Sequence, residues 1–246
     1  MEDNEVLSVE ELSRRQQFVL VSVVLHLLPG LAILLFYITV APLAMKWGFP
    51  ASFSLLLSFL FIGMPLQLGF LYYKGYKKNE NFSLSGIVRF RQKIPLWQYP
   101  LIVILLLPYA ALISSLMSPV SSYLSSTIFS WLPDWFLNPS TITPVGTMLI
   151  VIIVARFVID GIANPIVEEM YFRGYLLPRI SHLGLWAPLV NALLFSIAHF
   201  WQPANIPQIF LMVVPLYYVV WWKRNIYISI VVHCTANLLG AVMALS

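Results

Sequence analysis

The sequence predicts an all-α polytopic transmembrane helical bundle of about seven spans, between six and eight, and three observations carry that expectation. The chain of 246 residues is 60% hydrophobic and only 10% charged, with a mean hydropathy of +0.84. Several apolar runs reach the roughly 18 to 20 residues that a helix needs to cross a bilayer. The period-2 alternation of a membrane barrel is missing, and only helices or closed barrels satisfy every backbone polar group in lipid. Spans use up the length, so no separate soluble domain is expected. The division is an acidic N-terminal tail over 1–17 and a single transmembrane domain over 18–246.

Composition removes other classes. Cys234 is the one cysteine, which excludes an intrachain disulfide framework and a cysteine-based zinc site. The pI near 9.2 reads as basic cytoplasmic loops rather than as a nucleic-acid surface, so no nucleic-acid partner is expected. The tail carries Glu2, Asp3, Glu5, Glu10 and Glu11 and lacks the basic n-region of a signal peptide, so it reads as retained.

In chain order the spans are expected near Phe18–Leu43, Phe53–Tyr73, Tyr99–Met117, Thr143–Leu183, Trp186–Phe200, Pro207–Trp222 and Ile226–Leu245. The Ser, Pro and Trp-rich stretch Ser118–Ser140 reads as an interfacial connector, its Trp131, Trp135 and Phe136 suited to the headgroup level. Six of the fourteen basic residues (Lys74, Lys77, Lys78, Arg89, Arg91 and Lys93) flank or occupy one loop, opposed only by Glu80. That loop is cytoplasmic by the positive-inside rule. Counting spans outward puts Arg14, Arg15, Arg173, Arg179, Lys223 and Arg224 on the same side, which makes the N-terminus cytoplasmic.

The fourth element is overlong: its roughly 40 residues would extend about 60 Å, twice the hydrocarbon thickness. Pro165 cannot donate to the carbonyl of Gly161 and should kink the helix there. Just before it, Arg156, Asp160 and Asn164 recur at i, i+4 and i+8 and share a face. The first two read as a buried structural pair.

Chemistry concentrates after the kink, in Asn164-Pro165-Ile166-Val167-Glu168-Glu169-Met170-Tyr171-Phe172-Arg173-Gly174. Ionisable residues at membrane depth are costly and mark a functional site by default. On a helix, Glu169 and Arg173 form an i,i+4 pair, while Glu168 is rotated about 100° away. Glu169 is therefore expected to be tethered and Glu168 free for general-base work. The competing reading of the same residues is a buried polar clamp. With Gly184 as a hairpin tip, the fourth and fifth elements place Glu169 opposite His199, a partner that polarises water with Glu168 or Glu169. Phe195, one turn earlier, would wall the site against solvent. In the last span His233 and Asn237 share a face, two donors suited to an oxyanion. Cys234, adjacent to His233, faces elsewhere and is a poor nucleophile. Zinc held by Glu168, His199 and His233 is the alternative, but there is no HExxH, and the expectation is catalysis without a metal or other cofactor. A cavity cut deep from the cytoplasmic side would bring His199 and the Arg173 end together.

These residues resemble three motifs of the CPBP family, the CAAX proteases and bacteriocin-processing (Abi) enzymes that include the type II CAAX prenyl endopeptidases. Glu168-Glu169-Met170-Tyr171-Phe172-Arg173 looks like its EExxxR, Phe195-Ser196-Ile197-Ala198-His199 like its FxxxH, and His233-Cys234-Thr235-Ala236-Asn237 like its HxxxN. The likeness covers roughly 143–245. It implies an intramembrane glutamate-dependent endopeptidase in which Glu168 and His199 activate water. His233 and Asn237 would stabilise the oxyanion, and Glu169 and Arg173 would support the site. The implied partners are membrane lipid and a membrane-associated substrate, a prenylated CAAX-type protein or a peptide precursor, in a prokaryotic cell membrane. The rival from another class is a non-enzymatic transporter or bacteriocin-immunity factor using the same cluster for binding, although no inverted repeat is visible.

Overall fold

A computed structural model describes residues 9–140 and 144–244, with side chains from residue 19 onward. The first eight residues of the expected tail, Thr143 at the head of the fourth span and Leu245 at the end of the last lie outside the described residues. The helices are α1 (Val9–Lys46), α2 (Ala51–Asn79), α3 (Gln98–Ile128), the one-turn α4 (Asp134–Leu137), α5 (Gly146–Arg179), α6 (Trp186–Ile197), α7 (Ile206–Lys223) and α8 (Ile226–Met243). The protein is an all-α polytopic membrane bundle. Six helices are long and apolar enough to cross a membrane: α1, α2, α3, α5, α7 with the turn before it, and α8. The expected fifth span is α6, whose 12 residues reach only about 18 Å, short of a hydrocarbon core of about 30 Å.

Two boundaries and one placement differ from expectation. Helix α1 begins at Val9, inside the stretch read as tail. Helix α3 runs through Ser118 and Pro119 to Ile128 rather than yielding to a connector at Met117. A proline inside a membrane helix is tolerated where the freed carbonyl finds local partners, and the end of α3 relaxes into a wider π turn over Leu124–Ile128. Of the three aromatics placed at the headgroup level, Trp131 is exposed, but Phe136 is buried. Trp135 and Phe136 both pack on Tyr37, each with ring centroids 5.7 Å away.

The overlong fourth element is α5, and Pro165 does not end it. The segment Asn164–Glu168 carries Pro165 in its first turn and lies between two π-wound stretches, Arg156–Ala163 and Glu169–Leu176. Their i→i+5 bonds absorb the donor that proline lacks without breaking the rod. After Arg179 a short 3₁₀ turn, Ser181–Leu183, leads to Gly184 at φ +58°, the hairpin tip expected between α5 and α6.

The two ends of the bundle are built differently. At the end carrying the basic loop, backbone hydrogen bonds join that loop to the α7–α8 turn. The Ile226 N–H donates to Phe90 O at 2.8 Å and the Gln92 N–H to Arg224 O at 3.0 Å, around an antiparallel bridge between Arg91 and Asn225. The Arg89 N–H reaches Gly174 O on α5 at 2.7 Å. Beneath this cover lies an apolar core that includes Leu71, Val88, Tyr175, Leu177 and Ile226. At the other end, Ile33, Tyr37, Phe59, Phe136 and Trp201 form a smaller core beside open space.

Candidate active site

Between the two cores lies a cavity of about 420 Å³, lined by Arg156, Asp160, Asn164 and Glu168 from α5, His199, Trp201 and Gln202 beyond α6, and His233 and Asn237 from α8. Its walls continue to Ser52, Pro139, Ser140 and Gly240. Those residues lie at the end of the bundle opposite the basic loop. The expectation that the cavity opens on the basic-loop side is therefore corrected, because the bridged loop and the apolar core close that end.

Helical phase separates the two adjacent acids as expected. Glu169 is fully buried and meets Arg173, with Nε 3.1 Å from Oε2. The same carboxylate accepts from His233 Nδ1 at 2.8 Å through Oε1. Arg173, 1% exposed, is held between aromatic faces, its guanidinium carbon 4.2 Å from the Phe195 ring centroid and 4.0 Å from that of Tyr217. Its Nε lies close to Glu169 without a well-directed hydrogen bond, so charge and stacking hold it. Phe195 thus serves as a floor for the cation rather than only as a wall against solvent.

Glu168, 5% exposed, faces the cavity. Its one hydrogen bond comes from Asn164 Nδ2 to Oε1 at 3.1 Å. Asn164 stands at i−4, a spacing that makes such pairs neighbours on a helix. The sequence reading assigned it to the Arg156 face and missed this contact. The hairpin argument set His199 opposite Glu169 and left its partner open between the two acids. His199 lines the Glu168 cavity, whereas Glu169 is taken by His233. Wider π turns change side-chain phase along α5, which straight-helix geometry does not anticipate.

His199 Nδ1 donates to Phe195 O at 2.8 Å, leaving Nε2 as an acceptor in the neutral ring. Its ring is packed between Phe195 and Trp201, with centroids 4.6 and 4.8 Å away. The end of α6 lies so close to α1 that a Cβ at Gly30 would run into the Ala198 carbonyl, so only glycine permits this approach. The short α6 removes the difficulty of a straight span carrying His199 too far, because the chain turns back immediately after it.

Asn237 Nδ2 donates to the carbonyl of Asp160 at 2.9 Å and lies 3.5 Å from its carboxylate. The pairing expected between Arg156 and Asp160 is thus modified. Both line the cavity from the same stretch of α5, but the hydrogen-bond partner of Asp160 is Asn237. Cys234 Sγ points to Ile162 O at 3.8 Å, away from His233 as expected. Tyr217, the second ring on Arg173, carried no sequence signal beyond its place in an apolar span.

Among the described residues, no group of three or more His, Cys, Asp or Glu side chains is gathered to hold a metal ion.

A buried acid pair, one member ion-paired and the other facing a polar cavity, makes a polar site inside the membrane bundle. The family model described as Type II CAAX prenyl endopeptidase Rce1-like matches residues 150–239, a segment that holds every candidate residue named above. The resemblance to the CPBP and CAAX protease family drawn from the three motifs is borne out at that level. No curated protein and no solved structure matches the chain.

Proposed function

We propose that the protein is an intramembrane endopeptidase that hydrolyses a peptide bond of a membrane-associated substrate without a metal cofactor. The observation that carries this reading is the asymmetry of the acid pair: Glu169 is engaged by the charge of Arg173 and by a hydrogen bond from His233, while Glu168 faces the cavity that His199 also lines. A water between them donates one hydrogen to Glu168 and the other to His199 Nε2. Glu168 removes its proton as the oxygen attacks the scissile carbonyl carbon. The electron pair displaced onto the carbonyl oxygen meets Nε2–H of a protonated His233. It also meets the second N–H of Asn237, otherwise engaged only at 3.5 Å with Asp160. Glu168 then returns the proton to the leaving nitrogen as the C–N bond breaks.

Beside the polar cavity, a pouch of about 190 Å³ lies between α3, α7 and α8, with Leu107, Ile209, Met212 and Val213 on its walls and His199, His233 and Asn237 at its floor. An apolar substrate group, a prenyl chain or a large side chain, fits this lining. With the basic loop in the cytoplasm, the polar cavity faces the opposite side, so the substrate enters from there or sideways from the bilayer.

The test is hydrolysis of a peptide panel, including farnesylated CAAX peptides, by purified wild type, Glu168→Ala, His199→Ala and Asn237→Ala. Cleavage lost in Glu168→Ala and His199→Ala supports the reading; equal cleavage by all four sinks the mechanism, and no cleavage of any peptide by wild type favours a binding protein. Activity that disappears on exhaustive chelation and returns with zinc would replace it with the metal version.

A further inference from the structure

Behind Glu168 lies a second, smaller cavity of about 10 Å³, lined by Gln67, Glu168, Phe172, Phe195, His199 and Trp201. That volume is at the lower limit of what one water molecule requires. Gln67 comes from α2, outside the matched residues 150–239 and outside all three motifs. It is 1% exposed, and its Oε1 has no hydrogen-bond partner. A buried amide atom left unpaired costs about 1–3 kcal/mol, so a glutamine here among Pro65, Leu66 and Leu68 calls for a ligand. Helix α2 packs directly on the Asn164–Glu168 segment, which sets this amide beside the acid.

We propose that Gln67 is a positioning residue for the nucleophilic water, which sits between Glu168 and His199, the two side chains that line both this small cavity and the larger one. The proposal rests on the hydrolase reading above. A water offers two hydrogens, and both are accepted, one by the Glu168 carboxylate and one by His199 Nε2. Any third partner must therefore donate. The amide of Gln67 meets this requirement by turning 180° so that its NH₂ faces the water, the orientation that the surrounding acceptors select. Held at three points, the oxygen keeps one lone pair for attack. As Glu168 takes the proton, the Gln67 N–H steadies the growing hydroxide charge.

The experiment compares full-length wild type, Gln67→Met and Gln67→Glu in nanodiscs on a peptide that the wild type cleaves. Methionine keeps the volume and removes the N–H; glutamate keeps the shape and is acceptor-only when ionised. The expected result in both is a kcat lower by about 10- to 100-fold, the loss of one hydrogen bond to a charged oxygen, with KM unchanged. The thermal midpoint of Gln67→Met should stay within about 2 °C of wild type. Wild-type kcat in Gln67→Met, or failure to recover either variant folded, overturns the proposal. So does a loss that follows KM or the midpoint, each pointing to a structural role. Cleavage that does not depend on Glu168 sinks the hydrolase reading and this inference with it; Glu168-dependent cleavage with unchanged kcat in Gln67→Met sinks this inference alone.

Discussion

Glu168 and Glu169 are neighbours in sequence, yet they belong to two different regions of the molecule. The Glu169 side is core: a carboxylate, a guanidinium stacked between Phe195 and Tyr217, and an imidazole, held in mutual contact. The Glu168 side is lining: one amide hydrogen bond from Asn164 and then open space shared with His199. The contrast shows how an apolar bundle carries a reactive acid. It neutralises one charge completely and uses that ion pair to orient a histidine, while the other acid keeps unfilled acceptor capacity.

The sharpest way to break this contrast is to treat both acids alike. Glu168→Gln should lower peptide hydrolysis by about 10²- to 10⁴-fold, the range for removing a general base, with little change in thermal midpoint. If Glu168→Gln melts the protein instead, Glu168 is structural and the contrast fails. Glu169→Ala should act the other way, costing about 3–5 kcal/mol because Arg173 is left as an uncompensated buried charge. Thermal unfolding in detergent reads this, and adding Arg173→Met to the same chain should recover part of the loss. Gly30→Ala should come next, since the new methyl meets Ala198 O. Overpacking of this kind costs about 1–3 kcal/mol, and the displaced His199 should lower kcat more than KM rises. The smallest effect is expected for Cys234→Ser, within about 0.5 kcal/mol in stability and with activity intact. Loss of activity there would revive a thiol mechanism.

Much of this contrast is legible in the sequence, and what is not has a common origin. The class, the boundaries of α7 and α8 and the Glu169–Arg173 pair follow from hydropathy and from i,i+4 spacing, which are local. The partner of His199 is not, because it depends on π turns at Arg156–Ala163 and Glu169–Leu176 that no residue type announces. Ser118–Ile128 misleads because serine and proline favour loops in water but can stay helical in a bundle. The close approach of Ala198, just past the end of α6, to α1 joins positions 168 apart, at Gly30. Gln67 belongs to no motif, and its meaning appears only once α2 is packed against Glu168.

The bridge at Arg91 and Asn225 has a consequence for motion. One end of the bundle is sewn together by backbone hydrogen bonds between segments more than a hundred residues apart, so separating α5, α7 and α8 there means breaking several at once. Among the described residues the far end, around Gly48, Ser52 and Ser140, is tied by fewer such bonds, Ser52 N–H to Pro139 O at 2.8 Å among them. Opening of the helices therefore pivots about the bridged end, as a bouquet spreads above its tie. The amides of Gln92 and Ile226 should be among the slowest to exchange with deuterium, and those flanking Ser52 among the fastest.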